Sequence, residues 1–408
     1  MSPEDQQRIG LLAGMAFVPG SPIRDKQIFA GRMHQIRQAV DAINQQGRSV
    51  LIYGERGVGK TSLANVLDDF YLSAKHARII SPHVACDSED SFTSIWDKIL
   101  KEMNKPHEGI TLSDSAWDGI ETVVRESSGG LTPHSIKSIA EIVAKTHLLI
   151  PIIDEFDRIQ DPYCIAQFTD LIKYISDHVS NTTIILVGVG DTVDDLVKEH
   201  ASIERALEQI LMPRMAAGES SEILQHGEQA TGIKFEPDAT ELLISIAKGL
   251  PHYVHLMGLH ATRAAVDEGR WTVSVLNVET ATAGAIAGSH QSLLRAYHSA
   301  TSSPRPDNLY KQAILACALA RTDDLGYFAA ADVREPMSTI MVRQYDIPSY
   351  SQHLTQFCSS ERGEALQRTG SERRWRFRFK NPLLQPFVVM QGLKDKHIRR
   401  EQLVGRIV

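Results

Sequence analysis

The sequence predicts an α/β fold built on a doubly wound parallel sheet. Three largely apolar stretches, at 49–53, 147–157 and 183–191, predict strands buried on both faces, because none alternates regularly between apolar and polar residues. Segments with helical spacing separate these strands. Strands that alternate with helices are typical of a parallel sheet, which places ligands at the carboxyl ends of its strands. We therefore expect the chemistry of this chain along one edge of the sheet.

The first strand leads into a glycine-rich loop with the pattern G-x-x-x-x-G-K-[ST]. Glycines let backbone N–H groups curl around phosphate oxygens, and the N-terminus of the helix that follows faces the same oxygens. Lys60 can reach the β- and γ-phosphates, and the Thr61 hydroxyl can ligate Mg²⁺. The candidate nucleotide-binding residues of this loop are Gly54, Glu55, Arg56, Gly57, Val58, Gly59, Lys60, Thr61 and Ser62. The loop predicts binding of ATP together with Mg²⁺.

The second strand ends in acidic residues. Asp154 is expected to hold the hydration shell of Mg²⁺, and Glu155 to polarise the water that attacks the γ-phosphate. Pro151 lies inside this strand, and because proline cannot donate to the ladder we expect a local irregularity there. The third strand would deliver Asp191 beside the γ-phosphate.

The segments between these strands complete the predicted sheet. Residues 77–86 predict a further strand, and 91–103 and 165–179 predict helices. Residues 104–135 are punctuated by Gly, Ser and Pro, and they predict an inserted or mobile loop.

Composition restricts the class of protein. The chain has 408 residues, of which 42% are hydrophobic and 23% charged, values typical of a soluble protein with two or three domains. Its four cysteines lie far apart without CxxC spacing, which predicts neither a zinc site nor a disulfide framework. No apolar run reaches the roughly 18 residues of a membrane helix, and the stretch 11–18 lacks the positive flank of a signal peptide. A cytoplasmic location without a membrane partner is expected.

Charge is unevenly distributed along the chain. From Arg305 to the end, 17 lysines and arginines against 11 acidic residues give a net charge of +6, so the preceding residues carry −13 of the total of −7. This asymmetry favours an anionic partner for the C-terminal part. A solvated basic surface without a partner is the alternative.

These motifs resemble the AAA+ ATPases, in the branch that holds replication initiators, transposition regulators and STAND switches. The resemblance covers roughly residues 17–290 and rests on the phosphate loop, on the D-E-x-D pattern at 154–157, and on the segments 17–22 and 29–32. It implies that the two latter segments contact adenine. It also places Asp191 at the first sensor position, where the family usually has Asn, Ser or Thr; Thr192 is the alternative sensor. Because an aspartate repels phosphate, slow hydrolysis is expected.

The resemblance also implies an arginine finger and a helical lid. Arg205 is the candidate arginine that reaches the ATP of a neighbouring subunit, since a guanidinium can fork onto two phosphate oxygens. Arg214 is the second candidate, and an arginine on a solvated helix face is the structural alternative. Residues 219–267 fit the lid, and His252 stands at the position of the second-sensor arginine, where its contact with phosphate would be weaker and pH-dependent.

The C-terminal part predicts three helices followed by a hairpin. The helices are expected at 309–320, 328–340 and 349–363, and the basic residues of 373–380 alternate with aromatic ones. This is the layout of a winged helix, which replication initiators of this family carry in the same position. Under that resemblance the third helix enters the major groove of DNA and the arginine-rich wing grips phosphates. A protein-docking module is the alternative.

The sequence thus predicts an AAA+ ATPase that acts as an ATP-dependent homo-oligomeric switch, with Glu155, Lys60 and Arg205 as its catalytic residues. Through its winged helix it would engage DNA or a DNA-bound partner, as in transposition, replication initiation or antiphage defence. The alternative is a STAND-type signalling ATPase with slow or no turnover, whose winged helix binds a protein effector. The expected divisions are an N-linker and first helix (1–48), the ATPase core (49–216), the lid and linker helix (217–300), the winged helix (301–395) and a basic tail (396–408).

Overall fold

The computed structural model describes residues 1–72, 78–105, 111–179, 181–197, 203–305, 308–372 and 374–403. The strands of its first half are β1 (Ser49–Gly54), β2 (Ile79–Ile80), β3 (His83–Ala85), β4 (Leu148–Leu149), β5 (Ile152–Asp154), β6 (Ile185–Val189) and β7 (Leu207–Leu211). Within these ranges, five strands form a parallel sheet in the order β3-β5-β6-β1-β7. The parallel sheet expected from the sequence is confirmed.

Helices cover both faces of this sheet. They are α1 (Pro3–Ala16), α2 (Met33–Asn44), α3 (Lys60–Leu72), α4 (Phe92–Met103), α5 (Asp114–Glu126), α6 (Pro133–Ala144) and α7 (Pro162–His178). Successive strand residues point to opposite faces. Val50 and Ile52 of β1 therefore join one hydrophobic core with α2 and α3, whereas Leu51 joins the other with α4, α6 and α7. The sheet is doubly wound, as predicted.

Two of the expected strands are each divided at a proline. Pro82 separates β2 from β3, and Pro151 separates β4 from β5. Both prolines lack an N–H, but their carbonyls still accept: Ile152 donates to Pro82 over 2.8 Å and Ile185 donates to Pro151 over 2.9 Å. The irregularity expected at Pro151 is present. The detached pieces β2 and β4 pair with each other in parallel.

The loop expected at 104–135 is wrong, because α5 and the beginning of α6 occupy most of the segment that the structure describes. Ser113 caps α5 by accepting from the Ala116 N–H, and Thr132 caps α6 in the same way. Ile120 is buried against the core. The Gly and Ser residues punctuate the ends of two helices, which is why their abundance was misleading. Residues 106–110 lie outside the described ranges.

A mostly helical region follows the sheet, and we call it the lid after the expectation from the sequence, which stays a prediction. Its elements are α8 (Ala217–Thr231), β8 (Lys234–Phe235), α9 (Pro237–Ala247), α10 (Pro251–Asp267), β9 (Thr272–Val273), α11 (Val275–Ala287) and α12 (Gln291–Thr301). The phenyl ring of Phe17 lies in a slot between α8 and α10, where a Cβ on Gly227 or Gly258 would come within 2.0 and 2.5 Å of it. The chain that follows α1 is thereby anchored to the lid.

The C-terminal domain, residues 309–403, packs on the lid and the sheet edge. It contains α13 (Tyr310–Leu319), β10 (Phe328–Ala329), α14 (Arg334–Met341), α15 (Ser351–Phe357), β11 (Leu366–Thr369), β12 (Arg376–Phe379) and α16 (Leu384–Lys394), with an antiparallel sheet in the order β10-β12-β11. Its hydrophobic core is continuous with that of the lid. The order helix, strand, two helices and two strands agrees with the predicted winged helix, a designation that stays a prediction.

The second helix of this domain begins later than expected. Phe328 and Ala329 form a strand instead, because Phe328 stacks on Phe377 across the pairing of β10 with β12 and Asp332 accepts from the Ala329 N–H. The helix starts only at Arg334. In the part of the chain that the structure describes, we find no helix with the length and apolar character needed to cross a bilayer.

Candidate nucleotide-binding site

A cavity of about 780 Å³ lies at the carboxyl edge of the sheet, between the phosphate loop, the segment after α1, and α10. Its volume is within the range of pockets that enclose small ligands. The residues 56–62 of the predicted phosphate loop line it, together with Asp154 and Glu155 from the end of β5. The structure therefore brings the two predicted halves of the nucleotide site to one cavity.

The backbone of the phosphate loop requires glycine where it leaves β1. Gly54 has a φ of +144°, and a Cβ there would lie 2.5 Å from the Met212 carbonyl oxygen. Gly57 and Gly59 also have positive φ values, and α3 begins directly afterwards at Lys60. The N–H groups of the first helical turn are thereby aimed at the cavity, as an anion-binding loop needs.

The Lys60 ammonium lies inside the loop. It donates to the carbonyl oxygens of Gly54 and Glu55 over 3.0 and 2.9 Å. Burial lowers the pKa of Lys60 to about 8, although neighbouring carboxylates of Asp157 and Asp154 oppose the shift. Anionic phosphate groups would favour the charged form of this side chain and offer it stronger acceptors than the two carbonyls.

The two predicted Mg²⁺ ligands, Thr61 and Asp154, are hydrogen-bonded to each other in the structure. Burial raises the pKa of Asp154, but hydrogen bonds from His83, Thr61 and the Glu155 N–H outweigh it, so the pKa is held below its usual value. His83 lies on the neighbouring strand β3, with its Nε2 atom 3.6 Å from the carboxylate. Sequence reasoning missed His83, because only strand pairing places it beside Asp154. A carboxylate and a hydroxyl are oxygen donors that Mg²⁺ prefers.

Glu155 has an unusual backbone and a charged partner. Its φ of +53° is rare for a residue with a side chain, and such strain often occurs at functional positions. Its carboxylate accepts from Arg158 over 2.7 Å, with both side chains about half exposed. Asp157 accepts from the Val189 N–H over 2.7 Å and thereby ties this turn to β6. Arg158, which also lines the cavity, was not singled out by the sequence.

Arg32 also lines the cavity, next to the phosphate loop. The Arg32 backbone has a φ of +62°. Its side chain is buried and donates to the carbonyls of Val58 and Pro213 over 3.1 and 2.6 Å. Among the described residues its Nε and Nη1 atoms have no hydrogen-bond partner. Nη1 lies 3.9 Å from a carboxylate oxygen of Glu219, too far for a hydrogen bond, so these donors can still bind a polar ligand group in the cavity. Ser62, another lining residue, accepts from the Ile23 N–H over 3.0 Å.

Two histidines of α10 hold the segment that follows α1. His252 forms a 2.8 Å hydrogen bond through Nδ1 with the Pro19 carbonyl, and the Nδ1 of His255 accepts from the Val18 N–H over 3.3 Å. Burial lowers the pKa of both, that of His255 to about 4. Both line the cavity. The predicted second-sensor residue His252 is thus placed at the cavity in a neutral, hydrogen-bonded state.

The predicted first sensor has a different environment. Asp191 does not contribute to the lining of the cavity. Its carboxylate accepts from the Tyr327 hydroxyl over 2.7 Å and forms an ion pair with Arg378 of β12. The guanidinium of Arg378 also lies over the Tyr327 ring. We call these three residues the strand-end contact.

The two candidate arginine fingers also differ in position. Arg205 is exposed just before β7 and is absent from the lining of the cavity. Arg214 is buried in its own chain, where Nε and Nη2 fork onto the Glu55 carboxylate over 2.7 and 3.0 Å. Its Nη1 donates to the side-chain oxygen of Gln385 over 2.6 Å. Glu55, predicted to bind nucleotide, points away from the cavity and towards the C-terminal domain.

Comparison with protein families agrees with this geometry. The model of the family Novel STAND NTPase 1, nSTAND1, matches residues 22–301. The chain belongs to the nSTAND1 family. The match spans the phosphate loop, the acidic strand end and α10, whereas the lining residues 18–21 of the segment after α1 precede it. Among curated proteins no significant match is found.

Solved structures show the fold that this nSTAND1 protein shares. The ORC2 protein of Aeropyrum pernix, in ADPNP and ADP complexes, has 16% identity and a TM-score of 0.50, with 95% of this chain and 98% of that chain covered. Cdc6p from Pyrobaculum aerophilum has 15% identity and a TM-score of 0.47, with coverages of 95% and 99%. The A. pernix ORC1 protein in complex with DNA has 12% identity and a TM-score of 0.46, with coverages of 94% and 96%. The likeness to ORC2 shows a shared fold over almost the whole of both chains.

Proposed function

We propose that this nSTAND1 protein is an ATP-dependent switch whose C-terminal domain is held against the nucleotide site and released according to the nucleotide bound. The observation that carries the proposal is the position of that domain. Gln385 of this domain accepts from Arg214, which in turn binds Glu55 of the phosphate loop. Tyr327 and Arg378 of the same domain bind Asp191 in the loop after β6. A change at the phosphates therefore has two direct routes to the C-terminal domain.

The residues of the cavity support ATP as the ligand. When bound, Mg²⁺ would neutralise phosphate charge and polarise the scissile bond. Thr61 and Asp154 would hold the ion, Lys60 would bind the β- and γ-phosphates, and Glu155 would accept a proton from the attacking water. Arg205 of a neighbouring subunit would complete the site in a homo-oligomer, since it is exposed in a single chain.

We call the arrangement in which the C-terminal domain contacts the nucleotide-binding half the closed arrangement. It favours slow hydrolysis of ATP. Glu155 is paired with Arg158, and this half-exposed pair competes weakly with water for the carboxylate. Asp191 is paired with Arg378, so the loop at the predicted first sensor is occupied by the C-terminal domain. Hydrolysis would accelerate after that domain leaves, which is the behaviour of a switch rather than of a metabolic ATPase.

The experiment compares three states of the full chain: without nucleotide, with ADP, and with the non-hydrolysable analogue AMP-PNP. Small-angle X-ray scattering would measure the radius of gyration of the protein. Hydrogen exchange would measure how well the backbone amides of the C-terminal segments 323–329 and 381–386 are protected. We expect AMP-PNP to increase both the radius of gyration and the exchange, and Lys60→Ala to abolish the response. Identical scattering and exchange in all three states would contradict the switch.

DNA binding is the second candidate function, and the tip of the β11–β12 hairpin favours it. Arg368 and Arg374 are exposed there. Three further basic residues that the structure describes on this edge are paired with acids of the same chain: Arg376 with Asp323, Arg378 with Asp191, and Lys380 with Glu364. Of these acids only Asp191 lies outside the C-terminal domain, so release of the domain would free Arg378, whereas Arg376 and Lys380 would have to exchange an acid of their own domain for phosphate.

Binding of double-stranded DNA would be measured at two salt concentrations with and without AMP-PNP. If the wing binds DNA, affinity should appear with AMP-PNP, fall with salt, and weaken in Arg368→Ser and Arg374→Ser. Absence of salt-dependent binding in every state would leave a protein effector as the partner of the released domain.

A further inference from the structure

We propose that Arg214 is a positioning residue that couples the phosphate loop to the C-terminal domain, with Glu55 on one side and Gln385 on the other. We call these three residues the Arg214 relay. The proposal deepens the proposed function and rests on it, because it names the contacts through which nucleotide would control the C-terminal domain.

The hydrogen bonds of the relay form one continuous path. Arg214 uses Nε and Nη2 to fork onto both carboxylate oxygens of Glu55. Its Nη1 donates to Gln385, whose own amide donates to the Ala318 carbonyl in α13 over 2.9 Å. The planar guanidinium presents its donors in a fixed geometry, so it cannot adjust to one partner without moving relative to the other.

The relay is almost completely shielded from water. The exposed fraction is 2% for the Glu55 side chain, 9% for that of Arg214, and 1% for Gln385. Part of the shield is the backbone of the C-terminal domain, since a Cβ on Gly326 would lie 2.8 Å from Glu55 Oε1. Removal of this domain would expose the ion pair to water, which lowers the strength of its charge-assisted bonds.

Glu55 connects the relay to the phosphates. Its side chain binds Arg214, while its carbonyl oxygen accepts from the Lys60 ammonium over 2.9 Å. When Lys60 turns to phosphate oxygens, the Glu55 carbonyl loses its charged donor, and the peptide that carries the carboxylate is free to shift. Because Arg214 binds that carboxylate through two bonds, the shift reaches Gln385.

Coupling of this kind must be reciprocal. If nucleotide weakens the docking of the C-terminal domain by some factor, docking weakens nucleotide binding by the same factor. Gln385 should therefore influence nucleotide affinity although it does not line the cavity.

The test compares Gln385→Met with the matched control Tyr253→Phe in the full chain. Gln385→Met removes, at similar volume, the 2.6 Å acceptor of Arg214 Nη1, which keeps its longer bond to the Lys248 carbonyl over 3.4 Å. Tyr253→Phe removes another buried bond to the C-terminal domain, from the Tyr253 hydroxyl to the Leu383 carbonyl over 2.7 Å, which does not involve Glu55 or Arg214. The readout is hydrogen exchange of segments 323–329 and 381–386 with and without AMP-PNP. If Gln385→Met fails to fold, Gln385→Asn keeps the amide and shortens the reach.

Both variants should increase exchange without nucleotide, about tenfold or more for Gln385→Met and about two- to tenfold for Tyr253→Phe, because only the first bond involves a charged group. The ratio of exchange with AMP-PNP to exchange without it should fall towards one in Gln385→Met and remain at the wild-type value in Tyr253→Phe. An unchanged ratio in Gln385→Met, or an equal fall in both variants, would overturn the relay.

The wild-type protein separates this proposal from the one it rests on. If wild-type exchange does not respond to AMP-PNP, the switch itself fails. If the wild type responds and Gln385→Met responds equally, the switch stands and the signal passes through other contacts, such as Asp191 and Arg378.

Discussion

The C-terminal domain contacts the nucleotide-binding half at two arginine–carboxylate pairs that differ in their access to water. One pair lies inside that half and is bonded to Gln385, and the other is formed between the two parts. In the Arg214 relay, the Glu55 and Arg214 side chains are 2% and 9% exposed. In the strand-end contact, Asp191 and Arg378 are 28% and 14% exposed. The chemistry is the same, a carboxylate with an arginine, but solvent and salt screen only the second pair appreciably.

This difference assigns the two contacts different roles. A buried pair contributes through complete satisfaction of its hydrogen bonds, and the loss of one partner leaves an uncompensated charge. A partly exposed pair can separate and be rehydrated at little cost. We therefore expect the relay to determine whether the closed arrangement forms and the strand-end contact to adjust how often it opens.

The largest expected effect comes from removal of the buried arginine. Arg214→Ala leaves the Glu55 carboxylate buried without its partner, which should lower the free energy of unfolding by about 3–5 kcal/mol. Denaturant unfolding would measure it. The control is Arg205→Ala, which removes an exposed arginine and should cost less than about 0.5 kcal/mol. If the two variants lose similar amounts of unfolding free energy, the buried arginine contributes no more to stability than the exposed one.

A smaller effect is expected from pH at the phosphate loop. Burial lowers the pKa of Lys60 to about 8, so in the absence of bound phosphate the neutral amine prevails above that pH. Phosphate requires the ammonium, so nucleotide binding above pH 8 must take up a proton. Affinity for a fluorescent ATP analogue should therefore be constant below about pH 7.5 and fall by up to about tenfold per unit above pH 8.

Lys60→Arg serves as the control for this titration, because a guanidinium stays charged throughout the range. Its affinity, although altered, should not depend on pH between 7 and 9.5. A wild-type affinity that is equally flat would contradict the assignment of the buried ammonium to the phosphates.

The strand-end contact should show a smaller effect, which depends on salt. Asp191→Asn removes one charge of the pair, and exchange in segment 323–329 should rise by about two- to fivefold at low salt. In the wild type the same exchange should rise with salt, whereas in the variant the salt dependence should be largely lost. The control is Lys380→Gln, which breaks an exposed pair with Glu364 inside the C-terminal domain. If Lys380→Gln has the same effect, the contact at Asp191 has no special role.

The sequence predicted those parts of the molecule whose chemistry is local in the chain. The phosphate loop is a run of consecutive residues, and Asp154 and Glu155 end one strand, so their pattern was sufficient to predict the cavity. The order of strands and helices predicted the doubly wound sheet. Helix caps at Ser113 and Thr132 could have corrected the expected loop at 104–135, because both residue types favour the start of a helix.

Contacts between distant segments could not be predicted in this way. Glu55 and Arg214 are 159 positions apart, and Asp191 and Arg378 are 187 apart. No periodicity or motif links such pairs, and each arginine alone is compatible with an exposed surface. The sequence shows that 373–380 is basic. It does not show that several of these basic side chains pair with acids of the same chain.

The smallest expected effect lies at the rim of the cavity, where water reaches both partners. Arg158 and Glu155 are 51% and 50% exposed, so their pair is weak and opens readily. Arg158→Ala should leave stability unchanged and increase ATP turnover by at most about fivefold, since Glu155 is then free to polarise water. The control is Arg125→Ala, an exposed arginine of α5 that does not line the cavity. A fall in turnover would instead show that Arg158 contacts the phosphates. Arg158 would then contribute to nucleotide binding rather than restrain Glu155.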